Sequence, residues 1–195
     1  MRNAQITRDT NETKIKLNLT LEGAGKSEIK TGVGFLDHML TLFAAHGHFD
    51  MRVECTGDLE VDAHHTVEDV GIALGQAFDK ALGERRGITR YGSFLLPMDE
   101  ALVMIALDIS GRPHLSYDIE TGEQTAGAMD AGLVEEFFLG FTRAAGVTLH
   151  IEQHRGKNAH HIFEAAFKGF GRAMAQAVAI EAGREGEIPS TKGIL

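Results

Sequence analysis

DAHHTVEDVGIALGQAFDKAL (residues 62–82) and NAHHIFEAAFKGFGRAMAQAV (residues 158–178) are two versions of one segment. Each opens on the same pattern, His64-His65-x-x-Glu68 and His160-His161-x-x-Glu164, 96 positions apart. The same shift aligns Gly75 with Gly171 and Ala77 with Ala173. With 10 His in 195 residues, chance supplies roughly 0.04 copies of the pattern per chain, and two copies in about a thousandth of chains. The pair reads as a duplicated unit that carries metal-ligand chemistry.

After the first motif, apolar residues at 67, 70, 74, 77, 78 and 81 predict a helix over 64–82. The second motif predicts a longer one over 160–181. Working outward, alternation predicts a half-buried strand over 14–21, and Gly23 and Gly25 mark a turn after it. A helix face follows over 35–46 and a strand over 49–55. Gly83 and Gly87 close the first motif helix. The second half repeats the order. Strands are predicted over 101–109 and 114–117, around the turn Gly111-Arg112-Pro113, then a helix over 133–145 and a strand over 147–151. Strands grouped beside helices predict the α+β class. Two repeats are expected, 1–92 and 93–195, each a mostly antiparallel sheet with helices on one face. A half of that size builds only a small core, so the two should pack together as one unit.

The composition, 43% hydrophobic and 24% charged, is that of a globular protein. A net charge of −9 argues against nucleic acid and anionic membranes as partners. A single cysteine, Cys55, excludes an intrachain disulfide and a cysteine-rich zinc site. The start, MRNAQITRDT, has no apolar signal region, and the longest apolar run, 101–107, is too short for a bilayer. A cytoplasmic location is the expectation.

On a helix, positions four apart lie about 40° apart, so His64 and Glu68 can chelate one ion, while His65, about 100° round, points to a second. His160, Glu164 and His161 repeat that geometry. Further ligands are expected from the preceding helices: Asp37-His38 in the first half, Glu135-Glu136 in the second. Asp37 fits equally a helix cap or an acceptor that holds a histidine tautomer. The isolated His46, His48, His114, His150 and His154 read as structural. Imidazole and carboxylate without thiolate suit Mn, Fe, Co, Ni or Zn, and open positions on a six-coordinate ion favour Mn. Arg90, Arg112, Lys168 and the terminal Ser190-Thr191-Lys192 are types suited to phosphate, weak signals alone because most surface cations are solvated. At this level a metal-dependent hydrolase with a bridging hydroxide and a non-catalytic metal-binding shell stay open.

GVGFLDHML (32–40), DAHHTVEDVGIALGQA (62–77), GRPHL (111–115), NAHHIFEAAFKGFGRA (158–173) and IPSTKG (188–193) closely resemble the imidazoleglycerol-phosphate dehydratase family, and the likeness covers essentially the whole chain. The resemblance implies a duplicated fold like the second domain of ribosomal protein S5. It implies a homo-oligomer of 24 subunits, with two Mn(II) per active site between subunits. The implied reaction dehydrates imidazole glycerol phosphate to imidazole acetol phosphate in histidine biosynthesis. The implied metal ligands are His38, His64, His65, Glu68, His160, His161 and Glu164. Glu136 stands where the family carries an eighth ligand, a histidine. Gly34 and Leu42 replace a common proline and glutamine. Arg90, Arg112, Lys168, Ser190 and Lys192 form the implied phosphate set, with Glu12 beside the substrate glycerol.

Such a dehydration removes a hydrogen that is not acidic, so the ring must drive departure of the neighbouring hydroxyl. Cations on both ring nitrogens favour the imidazolate, which expels hydroxide to a diazafulvene-like intermediate. A carboxylate then removes the carbon proton. Glu164, or its counterpart Glu68, is the expected base, and Glu12 competes.

Overall fold

The computed structural model describes residues 1–122 and 124–195. The first half runs β1 (Asn3–Asp9), β2 (Thr13–Thr20), β3 (Ser27–Lys30), α1 (Gly34–Gly47), β4 (Asp50–Gly57) and α2 (His64–Leu82). The second runs β5 (Tyr91–Met98), β6 (Ala101–Asp108), β7 (His114–Asp118), a small hairpin of β8 (Thr125–Ala126) and β9 (Met129–Asp130), α3 (Leu133–Ala145), β10 (Thr148–Arg155) and α4 (Ala159–Val178). Two four-stranded sheets result, in the orders β1-β2-β4-β3 and β5-β6-β10-β7. In each, the third strand in sequence runs parallel to its neighbour and all other pairs are antiparallel. One topology occurs twice, as the duplicated α+β class requires. The second sheet opens at Tyr91, two residues before the expected repeat boundary.

Alternation sets the faces. In β2, Thr13, Ile15, Leu17 and Leu19 are buried, whereas Lys14, Lys16 and Asn18 face out. Each sheet covers its apolar face with its own helices, and the helices cross-pack, α1 on α4 and α2 on α3. Nine of the 11 phenylalanines are less than 2% exposed. Phe170 of α4 stacks on Phe43 of α1 at 5.0 Å and meets Phe138 and Phe141 of α3 edge-on. Phe78 of α2 meets Phe43 and Phe141. This cluster ties all four helices together, each buried ring stabilising by roughly 1.5–3 kcal/mol.

Two glycines set the crossings. A Cβ on Gly171 would lie 2.6 Å from the carbonyl oxygen of Phe43, and one on Gly75 would lie 2.5 Å from that of Phe141. Backbone contact this close needs glycine. Both crossings therefore have one geometry, and each motif stands 11 residues before its glycine.

α4 ends at Val178 rather than at 181. Ala179 turns to ψ 140°, and its carbonyl accepts from the backbone N–H and hydroxyl of Thr89. Among the described residues, no helix is long and apolar enough to cross a membrane.

Candidate metal centre

The two motifs open their helices because polar side chains hold the first turns. Asn158 Oδ1 accepts from the backbone N–H groups of His160 (2.9 Å) and His161 (3.3 Å). Asp62 Oδ1 accepts from His64 N–H at 2.7 Å. Accepted by the N-cap residue Asn158 in α4 and by Asp62, one residue before the N-cap Ala63, in α2, these bonds satisfy amides that the helix itself leaves free. The first histidine of each motif, His64 and His160, then lines a cleft of about 1220 Å³, and the second, His65 or His161, lies outside that lining.

His38 comes from the neighbouring α1. Its Nε2 lies 2.8 Å from Glu164 Oε1, and His160 Nε2 lies 3.1 Å from the same oxygen. Among the described residues, His38, His160 and Glu164 form one group whose ligand atoms all lie within 4.8 Å of one another. Two imidazoles and a carboxylate at that spacing fit a divalent transition metal. Phe35 sets its edge against the His160 ring at 5.5 Å. Lys168, one turn after Glu164, places Nζ 2.6 Å from Glu164 Oε2. Burial alone would raise the Glu164 pKa, but hydrogen bonds from Lys168, His38 and His160 bring it down to about 2.

The first half is more open. His64 Nε2 stands 3.9 Å from Glu68 Oε2. Glu136 lines the same cleft as His64, His38 and His160. The second histidine of each motif meets carboxylates on both sides. His65 Nδ1 lies 2.9 Å from Asp58 Oδ2, and its Nε2 lies 3.7 Å from Glu12 Oε1. His161 Nδ1 lies 2.7 Å from Glu100 Oε2, and its Nε2 lies 3.7 Å from Asp99 Oδ2. The hydrogen bonds to Asp58 and Glu100 raise both imidazole pKa values, and the bond from His161 takes Glu100 down to about 2.

Asp37 turns away from the cleft. Its Oδ1 accepts from the Thr31 N–H (2.8 Å) and hydroxyl (2.6 Å), which fixes the loop before α1 and so aims His38. Buried Asp69, next to Glu68, accepts from Arg8 at 2.6 Å and from the Thr13 hydroxyl. That bond pair ties the β1–β2 turn, which holds Glu12, to α2.

The basic residues fall into two places. Arg90 forks onto Asp108, Nε to Oδ1 at 2.7 Å and Nη2 to Oδ2 at 3.0 Å, and Nη1 donates to Pro189 O at 2.8 Å. Its backbone takes φ 74°, disfavoured for a bulky residue and held by a bond from Arg90 N–H to Ala177 O. Arg112 Nη2 lies 3.8 Å from Asp108, Ser190 shares a pocket with Arg90, and Lys192 is exposed on the tail. Lys168, by contrast, sits with the histidines. Ala177 and Glu164 are 13 residues apart on α4, which is about 20 Å along the axis.

A solved structure named imidazoleglycerol-phosphate dehydratase from Pyrococcus furiosus superposes with a TM-score of 0.84 at 40% identity, over 97% of this chain and 100% of that one. The Staphylococcus aureus structure of the same name gives 0.83 at 38% identity, over 92% and 99%. A relative of that name from Xanthobacter autotrophicus is 56% identical over the whole chain and 99% of its own length, and one from Prochlorococcus marinus is 55% identical over the whole chain and 97% of its own. The imidazoleglycerol-phosphate dehydratase family model matches residues 31–174. The chain belongs to this family. It is an enzyme, a hydro-lyase.

Four carboxylates in contact with the expected site residues escaped the sequence reading: Asp58, Asp99, Glu100 and Asp108. None lies in a motif. Asp58 follows the last residue of β4, Asp99 and Glu100 form a hairpin tip, and Asp108 ends β6. Asp58, Asp99 and Glu100 sit at strand ends beside a motif histidine, and Asp108 at a strand end beside Arg90, positions that only the fold makes visible.

Proposed function

We propose that this chain performs the dehydration step of histidine biosynthesis, converting imidazole glycerol phosphate to imidazole acetol phosphate in the cytoplasm, with two divalent ions, Mn(II) by choice, at each site. The observation that carries the reading is the convergence of His38, His160 and Glu164 across two helices that are distant in sequence. His64 and Glu68 of the first motif, with Glu136 of α3, are their counterparts, and His65 and His161 are the outward ligands. When bound, such ions supply positive charge to the two nitrogens of the substrate ring.

The chain's own groups do the rest. The hydroxyl beside the ring leaves as water, a carboxylate takes the proton from the next carbon, and the enol becomes the ketone. Glu164, set between His38, His160 and Lys168, is placed as a ligand. Glu12, at a turn tip facing His65, is better placed to move that proton. Glu68 is kept as a ligand beside His64.

Arg90, Arg112, Ser190 and Lys192 hold the phosphate in this reading. A ring and a phosphate joined by three carbons span less than about 10 Å on ordinary bond lengths. The Arg90 cluster of one chain is about twice that distance from its own Glu164. One site therefore needs two copies, which supports a homo-oligomer with sites between subunits, 24 in the full assembly. Lys168 then meets the phosphate from the metal side.

The test is direct. Protein loaded with Mn(II) should convert imidazole glycerol phosphate to the ketone, and chelation should stop it. Native mass should show an assembly that chelator weakens. A monomer indifferent to chelator, or release of inorganic phosphate in place of ketone, overturns the reading.

A further inference from the structure

We propose that Asp58 and Glu100 are positioning residues that hold His65 and His161 with the proton on Nδ1, so that each ring keeps the lone pair of Nε2 free to bind a metal ion. A carboxylate only accepts, so the 2.9 Å and 2.7 Å contacts require Nδ1–H as donor. In the neutral ring, Nε2 is then the unprotonated nitrogen. Among the described residues Nε2 closes no hydrogen bond. Glu12 and Asp99 face it at 3.7 Å, beyond hydrogen-bond reach.

The two halves reach this contact by different routes. Asp58 follows β4, and the matching point in the second half, after β10, is Gly156-Lys157. Glu100 lies on the β5–β6 turn, whose match is the β1–β2 turn. Duplication alone would have put both acids on equivalent elements. The contact has instead been built twice, which points to a requirement on the histidine and not to inherited packing. Asp58 has little else to do: its Oδ1 is buried with no partner. Glu100 also accepts from Asn158 N–H at 3.0 Å, so Asp58 is the cleaner position to change.

The experiment uses the assembled protein and two variants, Asp58→Ala and Asp58→Asn. Mn(II) and Zn(II) affinities are read by competition with a chelating dye. Loss of an outer carboxylate from a ligating histidine typically weakens metal binding 10- to 100-fold, the expected result for Asp58→Ala. Asp58→Asn keeps a carbonyl acceptor and should stay within the native order of magnitude. Solid-state 15N spectra of metal-free native protein at pH 9, with the His65 signal assigned by its loss in His65→Asn, should show Nδ1–H. Should Asp58→Ala not fold, that spectrum decides alone. Unchanged affinity in Asp58→Ala, or a proton on Nε2, overturns the proposal. The proposal rests on the metal-site reading above. Native protein that binds no divalent metal fails that reading, whereas metal held equally by native protein and Asp58→Ala fails only this one.

Discussion

Nε2 of His38 lies 2.8 Å from Oε1 of Glu164, joining residues 126 apart in sequence. The contact depends on how closely α1 and α4 approach at Phe43 and Gly171. The α3–α2 crossing repeats that approach at Phe141 and Gly75. Phe43 to Phe141 is a shift of 98, and so is His38 to Glu136. Glu136 therefore stands towards His64 and Glu68 as His38 stands towards His160 and Glu164. The two ends of the cleft differ by one carboxylate for imidazole exchange.

Glu136→His should equalise them. An imidazole is a softer donor than a carboxylate, so the variant should bind Zn(II) more tightly and prefer it more strongly to Mn(II) than the native chain does. Metal content after equilibration with equal Mn(II) and Zn(II) checks this. An unchanged ratio would place Glu136 outside the donor set.

Gly171→Ala tests the crossing itself. A methyl group 2.6 Å from the Phe43 carbonyl forces α1 and α4 apart, at a cost of about 1–3 kcal/mol by analogy with overpacked cores. Urea unfolding measures the loss. Because His38 moves with α1, metal affinity should fall as well.

These helices were legible because their signals are local. The spacing after the first motif placed α2 over His64–Leu82, and that before the second motif placed α3 over Leu133–Ala145. Strands β1, β3 and β5 were not legible, and all three lie at sheet edges. In β1 only Ala4 is buried, β3 is SEIK with Ile29 half-buried, and β5 carries Gly92 and Pro97. An edge strand buries little and tolerates proline, so its partner defines it more than its own residues do. The site divides the same way. Ligand types and spacing are in the motifs, whereas the acids behind His65 and His161 arrive through tertiary structure.

Lowering the pH should expose the Glu164 network in metal-free protein. Its carboxyl ionises near 4.5 when unfolded and at about 2 when folded. A depressed carboxyl stabilises above the unfolded value, and that stabilisation fades as pH falls from 4.5 through 2. Lys168→Met removes the partner that lowers the Glu164 pKa most, so the variant should lose less stability than native protein across that window. Parallel slopes of unfolding free energy against pH would argue that Lys168 does not hold Glu164.

The Arg8–Asp69–Thr13 node should matter more to stability than any exposed ion pair. Asp69 is 6% exposed, so Asp69→Ala strands the Arg8 guanidinium against the core, an effect of about 3 kcal/mol for a broken buried pair. Denaturant midpoints report it. Arg52 with Glu54, paired at 2.7 Å on the surface, is the control, expected within about 1 kcal/mol of native when either is replaced.

The separation along α4 makes the most demanding prediction. Glu164→Gln and Arg90→Ala should each be inactive as purified homo-oligomers, the first for lack of a metal ligand and the second for lack of a phosphate anchor. If a site takes its metal end from one copy and its phosphate end from another, co-assembly restores intact sites. With the two variants mixed at random in equal amounts, about one site in four draws both functional halves, because each is intact with probability one half. Activity should therefore return to about a quarter of the native value on co-expression. It should stay absent when separately assembled oligomers are simply combined. A site built within one chain would show no recovery in either case, since every chain would carry one of the two lesions.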